Sequence, residues 1–161
     1  MGKTYSEEEV IQRVYDANKQ RGKYLAFIVR ELDQAGFKDF DGALRKAIFN
    51  FGKDKGAKCG NFDAKGFMNC LINDDVIKGI VGYEEVGTSD ENQAEFTFSR
   101  CPLEEGWKEM GLSSDERHRL CSIASEHDFG FIANGQDLEL EMPEGIGLGN
   151  SNCRLVAKKK A

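Results

Sequence analysis

Apolar positions along this chain repeat first at helical and then at strand spacing. Val10, Ile11 and Val14, followed by Leu25, Ile28, Val29 and Leu32, recur every three to four residues, and Ser6 with Glu9 has the spacing of a capping box. The pattern predicts helix as far as Ala35, with Gly22 as a point of division and Gly36 as the C-terminal cap. A second helical pattern covers residues 42–51 and buries Leu44, Ala47, Ile48 and Phe51, with Gly52 as its stop. A third begins near Asp63 and includes Phe67, Cys70 and Leu71.

The spacing then changes to alternation. Residues 81–86 and 95–99 flank the polar run 87–92, which reads as the loop of an antiparallel hairpin. Leu138, Leu140 and Met142 alternate with Glu139 and Glu141, and residues 153–157 form a last strand after a turn containing Gly145, Gly147, Gly149 and Asn150. No helix follows that turn, so it is not a phosphate-binding glycine loop. Between the strand pairs, Pro102 starts one short helix that places Leu103, Trp107 and Met110 on one face and ends at Gly111. Ser113 and Glu116 form a second capping box, and that helix runs to about Glu126. The expected fold is α+β: a helical N-terminal half followed by an antiparallel sheet with two short helices inserted between its strand pairs. One domain over residues 1–161 is expected, mainly helical over 1–75 and carrying the sheet and most cysteines over 76–157.

Composition narrows the function classes. A chain of 161 residues with 40% hydrophobic content can bury one real core. A net charge of -6 argues against nonspecific nucleic-acid binding, and Lys158, Lys159 and Lys160 read as a solvated tail. No apolar run is long enough to span a bilayer and the N-terminus lacks the apolar core of a signal peptide, so a cytoplasmic protein with no membrane partner is expected. Oligomeric state stays open, a homo-oligomer included. Five cysteines form an odd, scattered set, and reduced thiols are expected. No Cys-x-x-Cys pair occurs, so any metal would need ligands from distant segments.

The candidate chemistry lies in the C-terminal half. If Pro102 is the first helical residue, Cys101 is the helix N-cap, where unpaired N–H groups and the helix dipole favour thiolate. Such a cysteine is a nucleophile, a metal ligand or a buried corner residue. Cys121 lies in the second helix, with packing against Leu120, Ile123 and Ala124 as the plainer reading. Asp128 can orient His127, an imidazole suited to proton transfer near neutrality, or cap the Phe129–Gly130 turn. His118 is expected on a solvated helix face. Cys153 shares a strand face with Leu155 and Ala157, opposite Arg154 and Val156, and neighbours Cys101 if their strands pair. Cys59 and Cys70 read as structural, and Trp107 as a core anchor first and a ligand contact second.

In order, Cys101-Pro102-Leu103, Trp107, Gly111, Leu120-Cys121-x-Ile123-Ala124, Asp128-x-Gly130, Leu138-x-Leu140 and Gly149-x-x-x-Cys153 resemble the L-2-amino-thiazoline-4-carboxylic acid hydrolase family. The likeness covers about the last 65 residues closely. It implies an enzyme that adds water to a small cyclic amidine, at the carbon between ring nitrogen and sulfur. On that reading Cys101, His127 and Asp128 are catalytic, while Cys121, Cys153, Arg154 and Trp107 contact the substrate. Arg154 or Arg100 would pair with its carboxylate. A divalent metal held by the cysteines and Asp128 is a variant. Two places depart from the family pattern: Glu126-His127-Asp128-Phe129 stands where Gly and Arg usually flank the acid, and Gly149-Asn150 where Gly-Asp is common. The closing turn, cysteine and strand also resemble vinyl-reductase-associated ligand-binding domains, which implies a noncatalytic small-molecule or metal-binding module as the alternative.

Overall fold

The structure is a computed structural model that describes residues 4–135 and 137–160. It has the expected α+β order. Helices α1 (Glu7–Gln34), α2 (Asp41–Ala57), α3 (Ala64–Leu71) and α4 (Asp75–Val81) precede strands β1 (Tyr83–Glu85) and β2 (Gln93–Phe98). Helices α5 (Pro102–Glu109), α6 (Ser114–Ala124) and α7 (Glu126–Ile132) then lead to β3 (Leu138–Glu144) and β4 (Cys153–Lys159), joined through a 3-10 turn at Ile146–Leu148. The four strands form one antiparallel sheet in the order β1-β2-β4-β3, with β2 and β4 central. Pro143, which cannot donate to a ladder, lies on edge strand β3 where the register with β4 shifts.

Both capping boxes form: Ser6 and Glu9 exchange bonds of 2.9 and 3.2 Å, and Ser113 and Glu116 close the same motif at α6. Strand alternation lays Ala94, Phe96, Leu138, Leu140, Leu155 and Ala157 on the covered face, under Phe62, Phe67, Met68, Phe131 and Ile132. The opposite face carries charge pairs, Arg154 with Glu95 at 2.7 Å and Lys158 with Glu141 at 2.6 Å. A second cluster, built on Ala26, Val29, Trp107, Leu112, Leu120 and Ile123, packs α1, α5 and α6 together.

The structure corrects four boundary expectations. Gly22 does not divide α1, and Gly52 does not stop α2; both helices run through. These glycines serve contact rather than termination. A Cβ on Gly22 would sit 2.8 Å from Leu103 Cα, and one on Gly106 would sit 2.8 Å from Lys19 O, so α1 and α5 cross with a glycine on each side. The crossing of α2 with α7 is built the same way: a Cβ on Gly52 would overlap the His127 carbonyl, and one on Gly130 the Phe49 carbonyl. Val81, expected to open a strand, instead ends the helix Asp75–Val81, because Asp74 caps that helix (Ile77 N to Oδ1, 2.7 Å) and Gly82 ends it in left-handed geometry. The helix expected to end near Glu126 instead breaks at Ser125, after which α7 turns onto α2.

Expectations for the cysteines and basic residues also change. Cys59 and Cys70 form a disulfide, with Cα atoms 6.2 Å apart, so these two are not the reduced thiols expected. The two cysteines are 11 residues apart in the chain, and the end of α2 and the α3 helix bring them together. His118 is half-buried beside Ser114, and its neighbours bind protein: Arg117 holds Glu104, and Arg119 holds Asp33 and Asp41. Among the described residues no helix is long and apolar enough to cross a membrane.

Gly52→Ala and Gly130→Ala are each expected to destabilise the protein by about 1–3 kcal/mol or more, because the obstruction is backbone. Gly42→Ala, in open space within α2, is expected to be neutral or stabilising by about 0.5–1 kcal/mol. Urea unfolding of the three variants checks both signs.

Candidate functional site

Between the two packed clusters lies a cavity of about 440 Å³. Its wall is mainly apolar, with Leu25, Ile48, Ile80, Phe98 and Leu155 among its members. Cys101, Cys121, Cys153, His127, Asp128 and Trp107 also line it, although they come from the β2–α5 junction, α6, β4, α7 and α5. The pairing of Phe98 with Cys153 puts β4's first residue beside the strand end that leads into Cys101. Arg154, one residue on, points to the other face of the sheet and is bound to Glu95, so the structure does not bring it to the cavity.

Trp107 is 1% exposed, and its Nε1 donates to the Gly22 carbonyl at 2.8 Å. It therefore fixes the α1–α5 crossing and presents only carbon to the cavity. His127 Nδ1 lies 2.9 Å from Asp128 Oδ1. A carboxylate only accepts, so Nδ1 carries the hydrogen, and in the neutral ring Nε2 is then the accepting nitrogen. The imidazole packs against Phe51 and Phe131, at centroid distances of 5.5 and 6.2 Å. Arg45 secures the α6–α7 junction behind it by bonding Ser122 and Glu126.

The three thiols are held as thiols. Burial pushes Cys101 up to about 12, and although the N–H groups of Leu103 and Glu104 pull the other way, no cap hydrogen bond forms. At this N-cap desolvation by the apolar cavity outweighs the helix terminus, which favours the buried-corner reading of Cys101. Cys121 is pushed up to about 11, by burial first and then by Cys153 and Glu104. Cys153 is raised as well, chiefly by burial, against the backbone N–H of Ile146 that its sulfur accepts at 3.3 Å.

Glu104 does not line the cavity, but its charge acts on Cys121 and Cys153, and the sequence reading missed it. It is 3% exposed; Oε1 accepts from Arg117 Nε at 2.9 Å, while Oε2 has no hydrogen-bond partner. An acid in the first turn of a helix is ordinary, so sequence carried no signal that α6 and the 3-10 turn would close over it. Among the described residues no set of three or more His, Cys, Asp or Glu is placed to hold a metal ion, so the thiols and Asp128 do not fit the metal variant.

The geometry can be set beside known proteins. A sequence model of the L-2-amino-thiazoline-4-carboxylic acid hydrolase family matches residues 7–156. The chain belongs to that family. The match takes in the helical half as well as the cysteine-bearing half on which the sequence likeness rested. No curated protein matches the chain. Two solved structures share the hydrolase-family chain's fold at a TM-score of 0.51. One is the phenol-responsive sensory domain of the transcription activator PoxR, crystallised with phenol, at 16% identity over 88% of this chain and 74% of that one. The other is a trafficking protein particle complex subunit 3 from Naegleria fowleri, covalently bound to palmitic acid, at 15% identity over 89% and 97%.

A thiol whose pKa rises on folding holds its proton more tightly in the folded state. Its stabilisation is complete below the unfolded thiol value, about 8.5–9, and is lost as pH climbs through the folded value. Unfolding free energy is therefore expected to fall between about pH 9 and 12, each such thiol adding up to about 1.4 kcal/mol per pH unit. Tyr15, raised to about 12 by burial, acts in the same direction. Urea titrations at pH 7.5, 9 and 10.5 measure the slope, and Cys101→Ser should flatten it.

Proposed function

We propose that this protein binds a small molecule in the thiol-lined cavity and, as its family name implies, opens a small cyclic amidine there by addition of water. The observation that carries this reading is the meeting of three thiols and a His–Asp pair, drawn from separate elements, on one half-open cavity. A cavity of this volume falls in the range that houses small organic ligands.

The chemistry assigned to Cys101 changes with its environment. A thiol pushed up to about 12 is a poor source of thiolate near neutrality, so water is the nucleophile in this proposal. His127 accepts a water proton through Nε2, with Asp128 fixing the tautomer at Nδ1. The water oxygen bonds to the amidine carbon, one hydrogen ends on the ring nitrogen, and the carbon–sulfur bond breaks as the sulfur takes the other. The product is a carbamoylated cysteine. Cys101, Cys121 and Cys153 serve as neutral contacts, and Trp107 supplies a flat apolar wall.

A second reading, binding without turnover, is favoured by the apolar lining and by the neutrality of the thiols. The two proteins that share the fold hold, by their descriptions, phenol and palmitic acid. That supports a fold able to enclose largely apolar molecules.

Incubation of the reduced protein with L-2-amino-thiazoline-4-carboxylate, followed by mass spectrometry, is expected to give a product one water heavier and no adduct on Cys101. His127→Gln should lower turnover by about 10²–10⁴-fold with the fold intact. A covalent intermediate on Cys101 would return that residue to nucleophile. Absence of product from a folded protein would leave the binding module as the function.

A further inference from the structure

Helix α1 carries apolar side chains on two sides, and the protein itself covers one of them. Tyr15, Gly22, Ala26 and Val29 are buried on the inner side. On the outer side Tyr24 is 70% exposed and Phe27 52%. An open groove of about 390 Å³ runs beside them, and every residue that lines it, Tyr24 and Ile28 included, belongs to α1. Aromatic rings left this far in water at mid-helix add little to the fold, whereas a partner that covers them gains their apolar area.

Spacing orders the outer side into a seam. Arg13, Ala17, Gln20, Tyr24, Phe27 and Glu31 are separated alternately by four and three residues, and all six are exposed. A period of about 3.5 residues is that of two helices packed side by side, a narrower stripe than a helix lays on a core. The six positions also complement themselves end for end. Laid antiparallel on its own copy, about a two-fold axis at the level of Gly22, the seam sets Arg13 against the second copy's Glu31, Ala17 against its Phe27 and Gln20 against its Tyr24. Each contact then occurs twice. Opposite charges meet at both ends, a small side chain faces a large one, and an amide lies beside a phenol. On the flank Asp16 approaches the second copy's Arg30. Arg21 and Lys23 approach their own copies near the axis; Arg21 is drawn aside to Asn18 Oδ1, at 2.8 Å, and Lys23 is paired with Glu109, at 2.7 Å. A parallel pair would instead set Arg13 on Arg13 and Glu31 on Glu31.

We propose that the outer side of α1 is the surface on which two copies of this chain join, as an antiparallel two-fold pair. The seam carries one positive and one negative charge in a chain of net charge -6, which suits a second copy and not an anionic membrane or a nucleic acid. Tyrosine and arginine at its positions are residue types that carry interface energy. Arg21 and Leu25 line both the groove and the cavity, so the second copy stands at the cavity's rim. The pairing holds whatever the cavity binds.

The test is sedimentation equilibrium of the full chain. The wild type is expected to weigh twice 18.0 kDa at micromolar concentration and to dissociate on dilution. Tyr24→Glu, at a side chain the fold leaves uncovered, is expected to weaken the pair about thirtyfold or more with the circular dichroism of the folded chain unchanged. Arg13→Glu and Glu31→Arg are each expected to weaken it about tenfold, and the two changes in one chain to restore it, because opposite charges then face one another again. A wild type still monomeric on the order of 100 μM would overturn the pairing. A dimer indifferent to Tyr24→Glu would overturn it too, by placing the contact elsewhere. Failure of the double exchange to restore what the single exchanges weaken would overturn the antiparallel register, and a monomer that sediments with phosphatidylserine vesicles would give the seam to a membrane instead.

Discussion

Four glycines set how closely the helices can approach, and the site depends on that closeness. Gly22 and Gly106 bring α1 against α5, and Gly52 and Gly130 bring α2 against α7, with carbonyl oxygens or main-chain carbon where a Cβ would otherwise stand. Trp107 ties the first crossing by its hydrogen bond to Gly22. The second presses α7 onto α2 and so aims His127 and Asp128 at the same space as the three thiols. Wider crossings would separate those groups by ångströms, which is enough to dissolve a shared cavity.

Desolvation is the dominant electrostatic effect inside that cavity. Cys101 occupies a helix N-cap, a place that ordinarily favours thiolate, yet the cost of a charge against an apolar wall outweighs the helix terminus. The same environment raises Cys121 and Cys153, and the charge of Glu104 acts on both in that direction. Three neighbouring thiols are thus kept neutral together. Uncharged sulfur suits packing against an apolar ligand and disfavours nucleophilic attack, and this moves the proposed chemistry from Cys101 to the His127–Asp128 pair.

Charge at the cavity is distributed unevenly. Arg21 and Arg100 lie on the side formed by α1 and the start of α5, and Asp128 lies on α7. The carbon lining lies between them. The two departures from the family pattern are absorbed elsewhere: Phe129 packs against the sheet cluster, and Asn150 Oδ1 accepts the Gly145 N–H at 3.1 Å to close the last turn.

Much of the fold was legible in the sequence, because local periodicity and capping are local physics. Ser6–Glu9, Ser113–Glu116, Pro102 and the alternation around Leu140 and Leu155 define elements through contacts within a few residues. The ordered cysteine motif was also enough to name the family that the match over residues 7–156 establishes. Tertiary structure alone decided the rest. Whether Gly22 and Gly52 end helices or admit a neighbour depends on a partner far away in the chain, and so does the break at Ser125 that turns α7 onto α2. The protonation of Cys101, the burial of Glu104 and the pairing of Cys59 with Cys70 all depend on what surrounds each group in space. Spacing along a chain cannot encode the dielectric around a sulfur atom; packing does.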